Sequence, residues 1–225
     1  MYEFVTGPMA WIAFGVFFFG LIFRLIWYIK GLHWQMDRVA YTRHLGYGLK
    51  GAARSIVCWL IPYGTHSWRY YSGFTILVFV FHIGLIVTPI FLLGHNIILD
   101  ERWGLRLPAL PEATSDVLTV AVLAAVLFIL LRRIALPEVR ILTTLYDVVL
   151  LLIVVAPFLT GFLAHHQVGD YHLWLIAHIL AGEIMLMAVP LTKLSHALLF
   201  FLSRAQLGMD YGIKRGGMKS PGLPW

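Results

Sequence analysis

The sequence is poor in charge and almost without cysteine. Only 12% of its 225 residues are Asp, Glu, Lys or Arg, whereas soluble domains carry about 25%. A surface with so little charge is suited to lipid, so the composition excludes an ordinary soluble globular domain. The single cysteine, Cys58, excludes an internal disulfide and any iron–sulfur cluster or zinc site built on cysteines.

A basic surface for nucleic acid is missing as well. The formal net charge is +6, but no basic stripe with interleaved aromatic residues stands outside the apolar runs. Lys and Arg cluster instead in alternate connections between those runs, which is the pattern of membrane topology. We therefore expect a lipid bilayer, and no nucleic acid, around this chain.

Long apolar runs are what the sequence has in abundance, since 60% of its residues are hydrophobic. Spanning a bilayer takes about 20 mostly apolar residues, and backbone groups in lipid must pair within their own segment, which favours helices. The sequence thus predicts an all-α integral membrane bundle of five transmembrane helices, with kinks at Pro89 and Pro190. The predicted spans are 8–29, 72–95, 115–131, 146–164 and 171–202.

The distribution of basic residues predicts the orientation. The first and third connections and the C-terminal stretch are rich in Lys and Arg, which places them in the cytoplasm and the N-terminus outside. We expect a membrane domain over 1–203 and a basic cytoplasmic tail over 204–225, which either docks on a partner subunit or touches anionic lipid. The first connection, 30–71, is long enough for an amphipathic helix whose apolar side would be Trp34, Val39, Leu45, Leu49 and Ile56.

Four histidines fall within or at the ends of two predicted spans, where ionisable residues are costly and usually functional. His82 and His95 belong to the second span, and His178 and His196 to the fifth. The last two are 18 residues apart, which is five turns of a continuous helix, so both rings would project from one face about 27 Å apart. This spacing suits two stacked haems. The predicted orientation pairs His82 with His196 in the inner leaflet and His95 with His178 in the outer leaflet.

Alternatives remain for these residues. A lone intramembrane histidine is more often a hydrogen-bonded packing residue, but four at matched depths favour haem. His95 follows His82 by 13 residues, which places them on nearly opposite faces of a straight helix. Other histidines near the membrane surfaces are therefore possible substitutes for His95, namely His66, His165, His166 and His172, whereas His33 and His44 are expected in a solvated loop.

The stretch 132–147 resembles the loop before the fourth helix in the gamma subunit of respiratory nitrate reductase, a dihaem cytochrome b. The shared residues are Arg132, Arg133, Pro137, Val139, Arg140, Thr143, Thr144 and Asp147. His178 to Gly182, Pro190, and Phe81 to Gly84 are similar to the helices of the same family, and the likeness covers about 73–203. The resemblance implies that His82, His178 and His196 bind haem iron and that His95 takes the fourth ligand role.

Around His82 to Asn96 the sequence looks more like the relatives of this subunit in sulfate-reducing bacteria. Its length and basic tail look most like the cytochrome b subunit of their high-molecular-weight cytochrome c (Hmc) complex, with the Dsr and Tmc complexes as alternatives. This resemblance implies two b-type haems and electron transfer in a bacterial inner membrane, within a respiratory complex of several membrane subunits. The electron partners would be a periplasmic multihaem cytochrome c or quinone (menaquinone is the candidate) and a cytoplasmic iron–sulfur subunit.

Charged and polar residues near the predicted haems are secondary candidates. Arg69 and Arg133 would either pair with haem propionates or only set topology, and Asp147 is expected to cap the fourth span or form a salt bridge with Arg140 there. Next to the outer haem, His95, Asn96 and Glu183 are candidates for proton handling with quinone. Two rival functions remain, a proton-relay or transporter subunit without haem and a purely structural anchor.

Overall fold

The structure, a computed structural model, describes residues 2–32 and 45–214, and all regular structure within these ranges is helical. Five helices are long and apolar enough to cross a membrane: α1 (Tyr2–Leu32), α4 (Ser72–Phe91), α6 (Glu112–Ala135), α8 (Leu145–His165) and α9 (Tyr171–Leu191). The predicted all-α class with five spans is therefore confirmed, and the chain is a multi-pass membrane protein. The predicted placement of the two termini on opposite sides stays a prediction.

Shorter helices connect and follow the spans. They are α2 (Leu45–Leu60), α3 (His66–Tyr70), α5 (Leu93–Trp103), α7 (Pro137–Arg140) and α10 (His196–Lys214), with a 3-10 turn at Lys193–Ser195. The predicted cap at the fourth span is confirmed, because the Thr144 N–H and hydroxyl both donate to Asp147 Oδ2, at 2.9 and 2.7 Å. Such a capping box satisfies backbone donors that the first turn of a helix leaves unpaired.

Two spans predicted as continuous helices, 72–95 and 171–202, are broken. The backbone of Leu92 is extended between α4 and α5, and that of Thr192 is extended after α9. Pro89 and Pro190 lie two residues and one residue before the ends of their helices, where the missing N–H of proline weakens the last turn. The chain was predicted to kink at these prolines, and each helix is interrupted just after its proline.

The breaks change the geometry expected of the histidines. His178 lies on α9 and His196 begins α10, so the expectation that both rings project from one face of one helix was wrong. In the same way, the extended Leu92 separates His82 on α4 from His95 on α5. The objection that these two rings would face opposite ways on one helix therefore does not apply.

The chain divides into two compact units. Among the described residues, unit 1 comprises 2–9 and 76–185, and unit 2 comprises 10–32, 45–75 and 186–214. In unit 1, α4 passes α6 at Gly84, where an added Cβ would lie 2.5 Å from Cγ2 of the fully buried Val122. The predicted division between 203 and 204 falls inside α10 in unit 2, whereas 215–225 lie outside the described residues.

In unit 2, α2 and α10 cross through small residues. Gly51 on α2 and Gly208 on α10 face each other so closely that a Cβ added to either would overlap the backbone of the other helix. Gly208 and Gly212 stand four residues apart, the spacing that lets membrane helices approach closely. The helix predicted in the first connection is thus present, but its buried face is made of small residues: Gly48, Gly51, Ala52 and Ser55.

The residues predicted for the apolar side of this helix lie outside its buried face. Leu45 and Leu49 are about half exposed, at 50% and 55%, and Ile56 is partly exposed, so lipid could still cover this side. Trp34 and Val39 lie outside the described residues.

We predict that Gly208→Ala destabilises the protein by about 1–3 kcal/mol, because the added methyl group meets backbone that cannot rotate away. Gly46→Ala is the matched control, since nothing lies within 4 Å of a Cβ at that position of α2. Thermal unfolding in detergent measures both variants. Equal unfolding temperatures for the two variants would contradict the close crossing.

Candidate functional site

The rings of His95 and His178 are close together and nearly parallel in unit 1. Their centroids are 5.9 Å apart and their planes differ by 13°. The two rings make no hydrogen bond to each other among the described residues, and both are only partly exposed. These two histidines were predicted to share the outer level of the membrane. Their role as ligands stays a prediction.

A backbone carbonyl near the end of α4 positions the ring of His95. The last four carbonyls of a helix lack intrahelical partners, and the Pro89 carbonyl accepts a hydrogen bond from His95 Nδ1 at 2.8 Å. The Leu92 N–H satisfies the Thr88 carbonyl at 2.9 Å, and the Leu110 N–H satisfies that of Phe91 at 2.8 Å. The Pro89 carbonyl at this helix end therefore fixes the orientation of the His95 ring.

A carbonyl of the neighbouring helix holds the ring of His178. Nδ1 of His178 donates to the Pro157 carbonyl on α8 at 2.8 Å. Gly161, one turn further along α8, gives the ring its space, because an added Cβ would lie 2.8 Å from both Nδ1 and Cε1 of His178. Gly161 and Pro157 therefore position the ring that α9 supplies.

His82 and His196 show the same bonding. Nδ1 of His82 lies 2.8 Å from the Val78 carbonyl, and Nδ1 of His196 lies 3.0 Å from that of Lys193. A carbonyl only accepts, so in the neutral ring Nδ1 carries the hydrogen and the lone pair is on Nε2. Histidines that bind metals are usually held in this way. All four histidines predicted as ligands share this arrangement.

His82 belongs to unit 1 and His196 to unit 2. The predicted pairing of these two residues stays a prediction.

In unit 2 a cavity of roughly 380 Å³ opens beside His196. Its lining includes two basic residues, Lys193 and Arg204, and the Arg204 guanidinium lies 4.6 Å from the ring centre of Trp59. The other lining residues are mostly aromatic, apolar or small: Tyr28, Ser195, Leu199, Phe200 and Ser203. The cavity could therefore hold an apolar molecule that carries negative charge at one edge.

Several buried polar atoms of unit 1 have no hydrogen-bond partner among the described residues. These atoms are Thr88 Oγ1, Asn96 Oδ1, Ser115 Oγ and both carboxylate oxygens of Glu183. An unsatisfied buried polar group costs about 1–3 kcal/mol, so bound water or a ligand is expected to pair with them. Asn96 and Glu183, predicted to handle protons, are both in this group.

The other described histidines are placed differently. His165 and His166 end α8 and face carboxylates of α6, with His165 bonded through Nε2 instead of Nδ1. His66 begins α3, and the backbone N–H of His172 donates to Asp170 at 2.9 Å. His33 and His44 lie outside the described residues. A hydrogen bond between Nδ1 and a backbone carbonyl is thus present at the four predicted ligands, whereas His165 bonds through Nε2.

The two arginines proposed for haem propionates bond locally. Nε of Arg69 donates to the Thr65 carbonyl at 3.4 Å, and Nη1 of Arg133 donates to the Thr143 hydroxyl at 3.3 Å. Sequence reasoning missed Arg204 and Lys193 beside His196, because it assigned Arg204 to a separate tail. It also missed Gly161, although an isolated glycine in an apolar helix often has a packing reason.

Comparison with known proteins gives one strong match. The chain is 58% identical to a protein of Nitratidesulfovibrio vulgaris (strain Hildenborough) over 226 aligned residues, which cover 100% of both chains. The chain belongs to the family of that protein. Comparison with models of known protein families gives no match, and no solved structure matches. The resemblance to the nitrate reductase gamma subunit therefore stays a prediction.

We predict that Gly161→Ala costs about 1–3 kcal/mol of stability, because the added methyl group pushes the His178 ring away from the Pro157 carbonyl. In a His178→Ala background the same change should cost much less, since the ring is gone. A double-mutant cycle of unfolding free energies measures this coupling. Gly182→Ala, with open space at its Cβ, is the control, and additive effects of Gly161→Ala and His178→Ala would contradict the contact.

Proposed function

We propose that the chain is the membrane dihaem cytochrome b subunit of a respiratory redox complex in the bacterial inner membrane. The parallel rings of His95 and His178, 5.9 Å apart, are the observation that carries this proposal. The proposed orientation has the N-terminus outside and the C-terminus in the cytoplasm, as the loop charges favour.

The ring separation fits two imidazoles that would hold one iron between them. A metal–imidazole bond is about 2.0–2.1 Å, and a ring centre lies roughly 1.1 Å behind Nε2, so two rings bound to one metal through Nε2 would have centres about 5–6 Å apart. The observed 5.9 Å between the ring centres of His95 and His178 lies in this range.

Orientation of the rings supports the same proposal. At each of His82, His95, His178 and His196 a backbone carbonyl pairs with Nδ1. This bond fixes the tautomer that presents Nε2 to a metal and raises the basicity of the ligand. A packing histidine also forms such a bond, so this bonding meets a requirement of ligation at all four positions, and the ring spacing of His95 and His178 carries the proposal.

His82 and His196 are proposed as the second pair of ligands. The cavity beside His196 supports this role, because its aromatic and apolar walls suit a porphyrin and its two cations suit propionates. Arg204 and Lys193 therefore replace Arg69 and Arg133 as the residues best placed to hold propionates.

Each bound haem would supply one-electron transfer, and the protein would set its potential by axial ligation, burial and nearby charge. The residues of the chain hold the rings in place and exclude water from them. We propose that the Glu183 carboxyl group takes up and releases protons during menaquinone exchange near the His95 and His178 pair, and that the unpaired amide oxygen of Asn96 accepts a hydrogen bond there. The proposed partners are other membrane subunits, a periplasmic multihaem cytochrome c and a cytoplasmic iron–sulfur subunit.

A proton-relay subunit without haem is the second candidate function. The buried carboxylate of Glu183, with no hydrogen-bond partner among the described residues, favours it, because ionisable residues within membranes often carry protons. The close, nearly parallel rings of His95 and His178 favour haem.

We predict that the purified chain shows a b-type spectrum, with two haems per chain by extraction. His178→Ala and His95→Ala should each lose the same haem, because the two residues are proposed to ligate one iron. His82→Ala and His196→Ala should lose the other haem. Reduced-minus-oxidised difference spectra measure the content.

His172→Ala is the matched control and should keep both haems, since it removes a histidine that lies outside the proposed pairs. A colourless native protein, or full haem content in His178→Ala, would overturn the proposal.

A second prediction concerns the cavity at His196. Arg204→Gln should lower the reduction potential of the haem bound there by some tens of millivolts, since a nearby cation favours the reduced state and 59 mV corresponds to about 1.4 kcal/mol. Redox titration of the two haems measures the shift. Arg106→Gln is the control, because Arg106 is exposed and paired with Asp100 at 2.9 Å. An unchanged potential in Arg204→Gln would argue against propionates at this cavity.

A further inference from the structure

One cluster of metal-ligating side chains lies apart from the proposed haem ligands. It stands in unit 1, where α8 ends and α6 begins, and consists of His165, His166, Asp116 and Glu112. Asp116 and the two imidazoles each offer one ligand atom, and these three atoms all lie within 4.8 Å of one another.

The local backbone brings these residues together. Glu112 and Asp116 are four residues apart on α6, so they share one helix face. Neighbouring residues within a helix point in different directions, but α8 ends at His165 and Gln167 adopts a left-handed φ of 51°. The helix end therefore lets the rings of His165 and His166 both turn towards α6.

The donor distances are close to those around a bound ion. His166 Nε2 lies 3.4 Å from one oxygen of Asp116, and His165 Nε2 lies 3.9 Å from the other oxygen. Glu112 Oε1 lies 3.0 Å from His165 Nε2. Ligands held at 2.0–2.1 Å around a tetrahedral ion are about 3.3 Å apart, so small side-chain rotations would complete the site.

We propose that His165, His166 and Asp116 bind a divalent transition-metal ion of the zinc type, with Glu112 as a fourth ligand. Two imidazoles and carboxylate oxygens are the donors that zinc takes in proteins that offer no cysteine. Two carboxylates also balance the charge of a divalent ion while both imidazoles stay neutral. The bound ion joins the beginning of α6 to the end of α8, and this role is independent of haem.

The test uses the full chain, purified with a tag that contains no histidine, stripped with a chelator and then equilibrated with Zn²⁺ alone. Elemental analysis should find one zinc per chain. His165→Ala, His166→Ala and Asp116→Asn should each weaken zinc binding by about 10–100-fold or more, since even the loss of an outer-shell partner has that effect. His172→Ala, which removes a histidine outside the cluster, should bind like the native chain.

Thermal unfolding provides a second readout. Zinc should raise the unfolding temperature of the native chain and of His172→Ala, because an ion that binds the folded state stabilises it. It should not do so in His165→Ala. Equal zinc binding by His165→Ala, His166→Ala and the native chain would overturn the site, and so would a native chain without zinc. The haem spectrum of each sample is recorded separately, so the two proposals fail independently.

Discussion

The hydrogen bond from a histidine Nδ1 to a backbone carbonyl is the interaction on which the candidate site depends. At His95 and His178 the acceptors are carbonyls of two proline residues, Pro89 and Pro157, at 2.8 Å in both cases. In an apolar interior such a bond cannot be exchanged for one with water, so it fixes both the tautomer and the direction of the ring. The same bond places the lone pair on Nε2, as the proposed iron ligation requires, and lowers the cost of keeping an imidazole among apolar side chains.

Interrupted helices create two of the four carbonyl acceptors, those for His95 and His196. The end of α4 at Phe91 leaves the Pro89 carbonyl to His95, and the end of α9 near Pro190 leads into the turn from which Lys193 offers its carbonyl to His196. The carbonyl of Pro190 itself accepts from Arg24 Nε at 2.7 Å, and Gly20 packs against the Pro190 ring. Each break thus has specific partners for its exposed backbone groups, as a low-dielectric environment requires.

The sequence predicted the five spans well, because apolar length alone decides whether a segment can cross a bilayer. It did not predict the breaks at Leu92 and Thr192, since proline near a helix end and proline at a kink look alike in sequence. The contacts of Gly161 and of the Pro157 carbonyl with His178 could not be predicted either, because they arise only when α8 packs on α9. Asp116 and His165 are far apart in sequence, so the sequence alone could not predict that they meet in the proposed metal cluster.

Low-temperature electron paramagnetic resonance of the oxidised native protein tests most directly whether His95 and His178 bind one haem iron. Two nearly parallel imidazoles on one iron should give a low-spin ferric signal of the rhombic kind, and that signal should vanish in both His95→Ala and His178→Ala. A high-spin signal of five-coordinate iron in the native protein, or no ferric haem signal at all, would contradict ligation by these two histidines.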